Sequence, residues 1–145
     1  VKEAEAVNVK MIEEFFLTDI GMRMRASNLV KREIPFVIKK NANEIIGSLD
    51  RNDVILIQGI IDCYFYEDGQ VVIIDYKTDE IYNGDIESAK NQYRRQILSY
   101  KEAVEKITCK KVKACYLYLF GIGQAVEISG ETGEYNIDVS PTPSS

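Results

Sequence analysis

Asp62, Asp75 and Lys77 stand out because a turn between them fixes their spacing. Asp68-Gly69 is a strong two-residue hairpin signal, flanked by apolar runs over 54–66 and 70–77. A two-residue turn sets Glu67 opposite Gln70, and the same register sets Asp62 opposite Asp75. Directly opposed residues share one sheet face, with Cβ atoms about 4.5–5.5 Å apart. Lys77 lies two residues past Asp75 and therefore on that face. Two carboxylates so close are costly to ionise together. A divalent cation is the natural compensation, and oxygen ligands suit Mg²⁺ or Mn²⁺. Lys77 can then hold an attacking water or neutralise charge on a phosphate oxygen. The same spacing also fits a plain cross-strand ion pair between Lys77 and either aspartate. Ile60, Tyr64, Val71 and Ile73 share the face and are expected to be buried, and buried acids need a reason.

Other residues can converge on the same place. Glu33, on an upstream strand, can point toward the two aspartates, or it can be a surface acid paired with Lys31 or Arg32. Tyr93, Gln96 and Tyr100 form a polar-aromatic stripe at helical spacing beside an apolar one. Gln96 can hydrogen-bond a phosphate or a carboxylate, or it can be an ordinary half-exposed helix residue. Lys90, Arg94 and Arg95 make a small basic patch able to touch a nucleic-acid backbone, though helix solvation explains them equally well.

The elements that must position these residues follow from periodicity. Residues 8–26 read as helical, with Val9, Ile12, Phe15, Phe16 and Ile20 near a 3.6 period; Thr18 and Gly21 divide the stretch, and Thr18 caps the second part. A strand covers 32–39, with Pro35 marking an edge or a bulge. A loop is expected over 40–53, with a short strand or turn at Ile45-Ile46. The hairpin strands 54–66 and 70–77 are apolar on both faces, which predicts cover on both sides. One long helix is expected over 86–107 and a strand over 111–120. Val126–Ile128 and Tyr135–Val139 suggest a small C-terminal hairpin appendage within 121–145, ending in a frayed Pro/Ser tail. A helix between the third and fourth strands permits a parallel crossover. The expected fold class is α/β, a mixed β-sheet flanked by helices in a single domain spanning 1–145.

Composition narrows the function classes. With 145 residues and 46% hydrophobic content, the chain can build one core. Charged residues at 28% exclude a disordered or membrane composition. No apolar run approaches the roughly 18 residues of a bilayer span, so no membrane partner is expected. The first residues carry no apolar signal-peptide core. Cys63, Cys109 and Cys115 show no metal-type spacing and read as reduced thiols, which predicts a cytoplasmic protein. Histidine is absent, so chemistry must rest on carboxylates, lysine, tyrosine or a metal. A formal net charge of −5 disfavours a broad phosphate-binding surface. It weighs less against an enzyme that holds phosphates through bound cations.

Taken in order, Gly59-Ile60-Ile61-Asp62, the hairpin, Asp75-Tyr76-Lys77-Thr78 and Tyr93-x-x-Gln96-x-x-x-Tyr100 resemble the RecB-type nuclease family within the restriction-endonuclease-like fold. Phe15-Phe16 with Gly21, Arg32-Glu33-x-Pro35-Phe36 and Ile57-Gln58-Gly59 bring the resemblance closer to the C-terminal nuclease domains of AddA-type helicase–nuclease subunits. It covers roughly residues 8 to 120. The resemblance implies that Asp62 and Asp75 bind Mg²⁺ or Mn²⁺, with the Tyr76 backbone carbonyl as a further ligand. It implies that Lys77 orients or activates water, that Gln96 and Tyr100 organise the site or the DNA, and that Glu33 lies near the catalytic centre. It also implies partners: single-stranded DNA, helicase domains of the same polypeptide, and the AddB subunit. One departure matters. The family carries a metal-ligating histidine on a preceding helix, and this chain has no histidine. The expectation is a core lacking its N-terminal helix, prone to self-association through exposed apolar surface and weak in metal binding and cleavage. Iron–sulfur relatives of the fold carry a cysteine set that these three cysteines do not match. A phage-type exonuclease, or a scaffold or DNA-binding module that has lost its chemistry, are the competing readings.

Overall fold

A computed structural model of the chain describes residues 8–41, 54–78 and 85–128. The element order is α1 (Val9–Leu17), α2 (Asp19–Ala26), β1 (Val30–Asn41), β2 (Val54–Glu67), β3 (Gln70–Lys77), α3 (Ile86–Thr108), β4 (Val112–Leu119) and β5 (Gln124–Ile128). The strands form one mixed sheet in the order β1-β2-β3-β4-β5. Only β3 and β4 are parallel, and α3 is the crossover between them. Helices cover both faces, the arrangement expected of a restriction-endonuclease-like α/β domain. The suggested loop over 42–53 and the strand at Tyr135–Val139 lie outside the described residues. Residues 124–128 join the main sheet as an edge strand paired with β4.

Local chemistry explains the elements. The Thr18 side chain accepts a hydrogen bond from Gly21 N–H, capping α2 and ending α1. A Cβ at Gly21 would stand 2.1 Å from the Phe15 carbonyl oxygen, so only glycine lets α2 fold back so tightly. Asp68 and Gly69 both take positive φ (55° and 77°), the primed turn that suits the strand twist. The β2–β3 register runs Glu67–Gln70, Tyr66–Val71, Phe65–Val72, Tyr64–Ile73 and Cys63–Ile74, as the turn predicts. Arg23 of α2 donates two hydrogen bonds to Glu67, of 2.9 and 2.8 Å, tying this hairpin end to the helices. The Arg23 guanidinium beside it holds the Glu67 carboxyl down to about 2.

Two cores result. On one side α3 contributes Ile97, Tyr100, Ala103 and Val104 against Phe36, Ile38, Ile61, Tyr64, Val71 and Ile73. On the other, Phe15, Ile20 and Met24 of α1 and α2 pack on Cys63, Phe65, Val72, Ile74 and Tyr118. The four consecutive residues Val71–Ile74 are all buried, so β3 is covered on both faces as its apolar pattern predicts.

The N-terminal half of β2 differs. Ile61 and Tyr64 both belong to the α3-side core, although residues three apart on an uninterrupted strand face opposite ways. The alternation therefore reverses near Asp62. On the neighbouring strand Glu33 has a φ of 55°, in the left-handed region. Pairs Arg32–Cys63 and Ile34–Ile61 bracket Glu33 and Asp62, so the register is the same on both sides while the facing changes. This corrects the expected burial of Ile60, which is 57% exposed, along with Val37, Val54 and Leu56. Pro35 sits on β1, an edge strand, as its missing N–H requires.

Gly21→Ala should force α1 and α2 apart and lower stability by roughly 1–3 kcal/mol, the usual range for overpacking. Urea denaturation of the two proteins measures this directly; an unchanged midpoint would contradict the close approach.

Candidate functional site

The β2–β3 ladder ends at Cys63–Ile74. One step further, where Asp62 and Asp75 would pair, β2 diverges and leaves a fork. The Asp62 carboxylate fills it: Oδ2 accepts a hydrogen bond of 2.9 Å from the Tyr76 backbone N–H. N–H and C=O of one strand residue point to the same side. The Tyr76 carbonyl therefore also faces the fork. The Tyr76 side chain goes the other way, edge-on to Phe15 at 5.3 Å between ring centroids. That anchor holds the strand whose backbone donates to Asp62.

Asp75 is 2% exposed. Burial first, and then the charge of Asp62, push its carboxyl up to about 7; Lys77 opposes both. The Lys77 ammonium lies 2.9 Å from Asp75 Oδ2. Its direction does not make a proper hydrogen bond, however, and Oδ2 remains a buried acceptor with no hydrogen-bond donor. The contact offsets the burial of Asp75 only in part. The expected pairing of Lys77 with an aspartate is thus present, and it coexists with the acid pair.

Helix α3 supplies the wall. Asp85 caps it by accepting from Ser88 N–H at 3.1 Å. Gln96 Oε1 accepts a hydrogen bond of 3.0 Å from Lys77 Nζ. Tyr93, one turn earlier, places its ring 4.3 Å from the same nitrogen. Tyr100, one turn later, is buried edge-on to Phe36 at 5.6 Å. Burial, and then the charges of Asp75 and Asp62, raise its phenol above the ordinary value, so it stays protonated. Gly59 leaves room for this pair, since a Cβ there would stand 3.1 Å from the Phe36 ring.

The structure therefore brings together Asp62, Asp75, Lys77, Gln96 and Tyr100, with the Tyr76 backbone between the aspartates. Glu33 sits at the register position of Asp62 on β1, but its side chain is exposed. The basic patch is smaller than its sequence suggests: Arg94 is 9% exposed and turned inward, while Arg95 stays on the surface. In the sequence Tyr93 is visible only as part of a stripe. Its place over Lys77 depends on how α3 docks on the sheet, which spacing alone does not give.

Two carboxylates and a backbone carbonyl are hard oxygen donors, and a buried, donorless carboxylate oxygen is a suitable seat for a hard cation. Among the described residues no group of three or more acidic, cysteine or histidine side chains gathers. That count suits Mg²⁺, which is commonly held by one or two carboxylates and keeps several waters. Among the described residues no helix is long and apolar enough to cross a membrane.

No family model matches the chain. Several curated proteins do, all of them AddA-type ATP-dependent helicase/nuclease subunits. The chain is 45% identical over 128 residues to the one from Alkaliphilus metalliredigens, covering 87% of this chain and 11% of that protein. It is 47% identical over 129 residues to the one from Thermoanaerobacter sp. strain X514 (87% and 10%). The Clostridium kluyveri protein is 45% identical over 131 residues (88% and 10%). The chain is homologous to a segment of these proteins and spans about a tenth of their length.

The raised Asp75 value has a thermodynamic sign. The folded chain holds this proton more tightly than the unfolded one. Its contribution to stability is therefore complete below the ordinary carboxylate range and is lost as pH rises through about 7. Asp75→Asn removes the titration. In metal-free buffer, wild-type stability relative to the variant should fall by up to about 1.4 kcal/mol per pH unit between about pH 4 and pH 7. Parallel denaturation curves at several pH values check it; a constant difference would mean that Asp75 titrates normally.

Proposed function

We propose that this segment is a divalent-metal-dependent deoxyribonuclease domain, hydrolysing phosphodiester bonds of single-stranded DNA delivered by helicase domains of the same polypeptide. The observation that carries the reading is the convergence of Asp62 and Asp75 with Lys77 at the fork between β2 and β3. Homology to helicase/nuclease proteins supports DNA as the substrate. The biological setting that fits is processing of broken DNA ends for recombination and repair in the cytoplasm, in complex with AddB.

The roles follow from the geometry. Asp62, Asp75 and the Tyr76 carbonyl would hold Mg²⁺ or Mn²⁺. A divalent cation there supplies Lewis-acid polarisation of a phosphoryl oxygen and makes a water more acidic. Asp62 is already oriented by the Tyr76 N–H. Asp75 must give up its proton to become a ligand, and the positive charge of Lys77 favours that loss. Once Asp75 faces a cation, the Lys77 ammonium is available to orient water or to neutralise charge developing on a phosphate oxygen. Gln96 keeps the ammonium on the helix side of the fork. Tyr100 stays protonated and backs the two carboxylates. Glu33, exposed at the rim, is placed to meet substrate or a water-bridged cation. None of the ligands is a histidine, which predicts modest metal affinity.

The test is binding and cleavage together. Mn²⁺ titrated into the isotope-labelled chain should broaden amide signals around Asp62 and Tyr76 in the millimolar range. Labelled single-stranded DNA should be cut slowly, and only with Mg²⁺ or Mn²⁺. Asp75→Ala and Lys77→Ala should each lower cleavage by on the order of 100-fold or more, as loss of a group acting on transition-state charge does. Cleavage that survives Asp75→Ala, or broadening located elsewhere, would sink the proposal.

A further inference from the structure

Lys77 has more partners than a catalytic lysine needs for its charge. Its ammonium touches the Asp75 carboxylate at 2.9 Å and the Gln96 amide oxygen at 3.0 Å, and it lies 4.3 Å from the centre of the Tyr93 ring. The lysine side chain is only 16% exposed. An ammonium has three N–H groups, and these three partners surround it. They differ in permanence. The Asp75 contact depends on the charge state of a carboxyl that the proposed chemistry engages elsewhere. Gln96 and Tyr93 do not titrate near neutral pH in that way, and both stand on α3, one turn apart. The face of an aromatic ring attracts a cation electrostatically within about 6 Å of its centroid, and more strongly where water is excluded.

We propose that Tyr93 is a positioning residue whose ring face, with the Gln96 amide, holds the Lys77 ammonium at the fork when Asp75 is engaged by a cation. The inference rests on the nuclease reading for its purpose, but not for its physical content. It assigns the function to the aromatic face and not to the hydroxyl. Phenylalanine should therefore replace tyrosine, and an aliphatic side chain of similar size should not. Partial burial of Tyr93 against the α3-side core gives a purely structural alternative, in which any apolar side chain serves.

Nuclear magnetic resonance of the chain labelled at lysine separates these. The Lys77 ε-methylene protons, next to a nitrogen above the ring, should resonate upfield of the other lysines; Lys77→Arg identifies the signal by its loss. Tyr93→Phe should keep the upfield signal, whereas Tyr93→Leu should return it to the common lysine position. Tyr93→Met serves as a second aliphatic variant should the leucine protein lose its folded amide spectrum. In cleavage assays Tyr93→Leu should lower kcat about tenfold with KM unchanged, since a misplaced reacting group costs rate and not binding; Tyr93→Phe should restore it. An upfield signal that persists in the leucine or methionine variant, or vanishes in phenylalanine, overturns the inference. A chain that cuts no DNA in any form would defeat the nuclease reading, while the resonance still decides the role of the ring.

Discussion

The hydrogen bond from the Tyr76 N–H to the Asp62 carboxylate holds the centre of this molecule together. A strand that parts from its neighbour leaves backbone donors without ladder partners, and buried donors must be satisfied. Here a side chain replaces the missing ladder oxygen. The substitution closes the fork, and it also pins the Asp62 carboxylate beside Asp75, which two flexible acids would otherwise avoid. The anchors of this bond come from opposite layers. Phe15 of α1 fixes the Tyr76 ring from one face. Packing of Phe36 and Tyr100 fixes β1 and β2 against α3 from the other.

The fork in turn needs a break in β1 and β2. Glu33 takes a left-handed conformation, unusual for a residue with a side chain beyond Cβ. Both strands change facing at that register position without losing register. Asp62 can thus face the same side as Ile61 and also reach the Tyr76 N–H. Such strain at a non-glycine residue persists only where surroundings over-determine it. Here eight pairs on one side, Ile34–Ile61 through Asn41–Val54, and three on the other supply that constraint.

These features differ in how far the sequence discloses them. The pairing direction of Asp62 and Asp75 is legible because Asp68-Gly69 admits essentially one tight turn, and a turn propagates its register along both strands. The cap at Thr18, the long helix and the parallel crossover are legible for similar local reasons. The reversal at Asp62 is not. Left-handed residues announce themselves as glycine, asparagine or aspartate, and a glutamate there carries no signal. Simple alternation consequently assigns Ile60 to the buried face. Arg94 turns inward and Tyr93 covers Lys77 because of the angle at which α3 crosses the sheet. Helical periodicity fixes which residues share a stripe, but not what lies opposite it.

The electrostatics of Asp75 then acquire a sense. Its carboxyl lies in a strand buried on both faces, and that burial opposes ionisation more than the Lys77 contact favours it. A stability argument alone would replace it with an apolar residue. The same burial makes an ionised Asp75 a strong ligand, because water competes poorly for a carboxylate oxygen it cannot reach. A rigid β3, with Val71 to Ile74 packed between two helical layers, prevents the acid from escaping to solvent. The chain thus keeps a carboxylate where it is costly without a cation and useful with one. Lys77, held from α3, limits that cost and does not remove it.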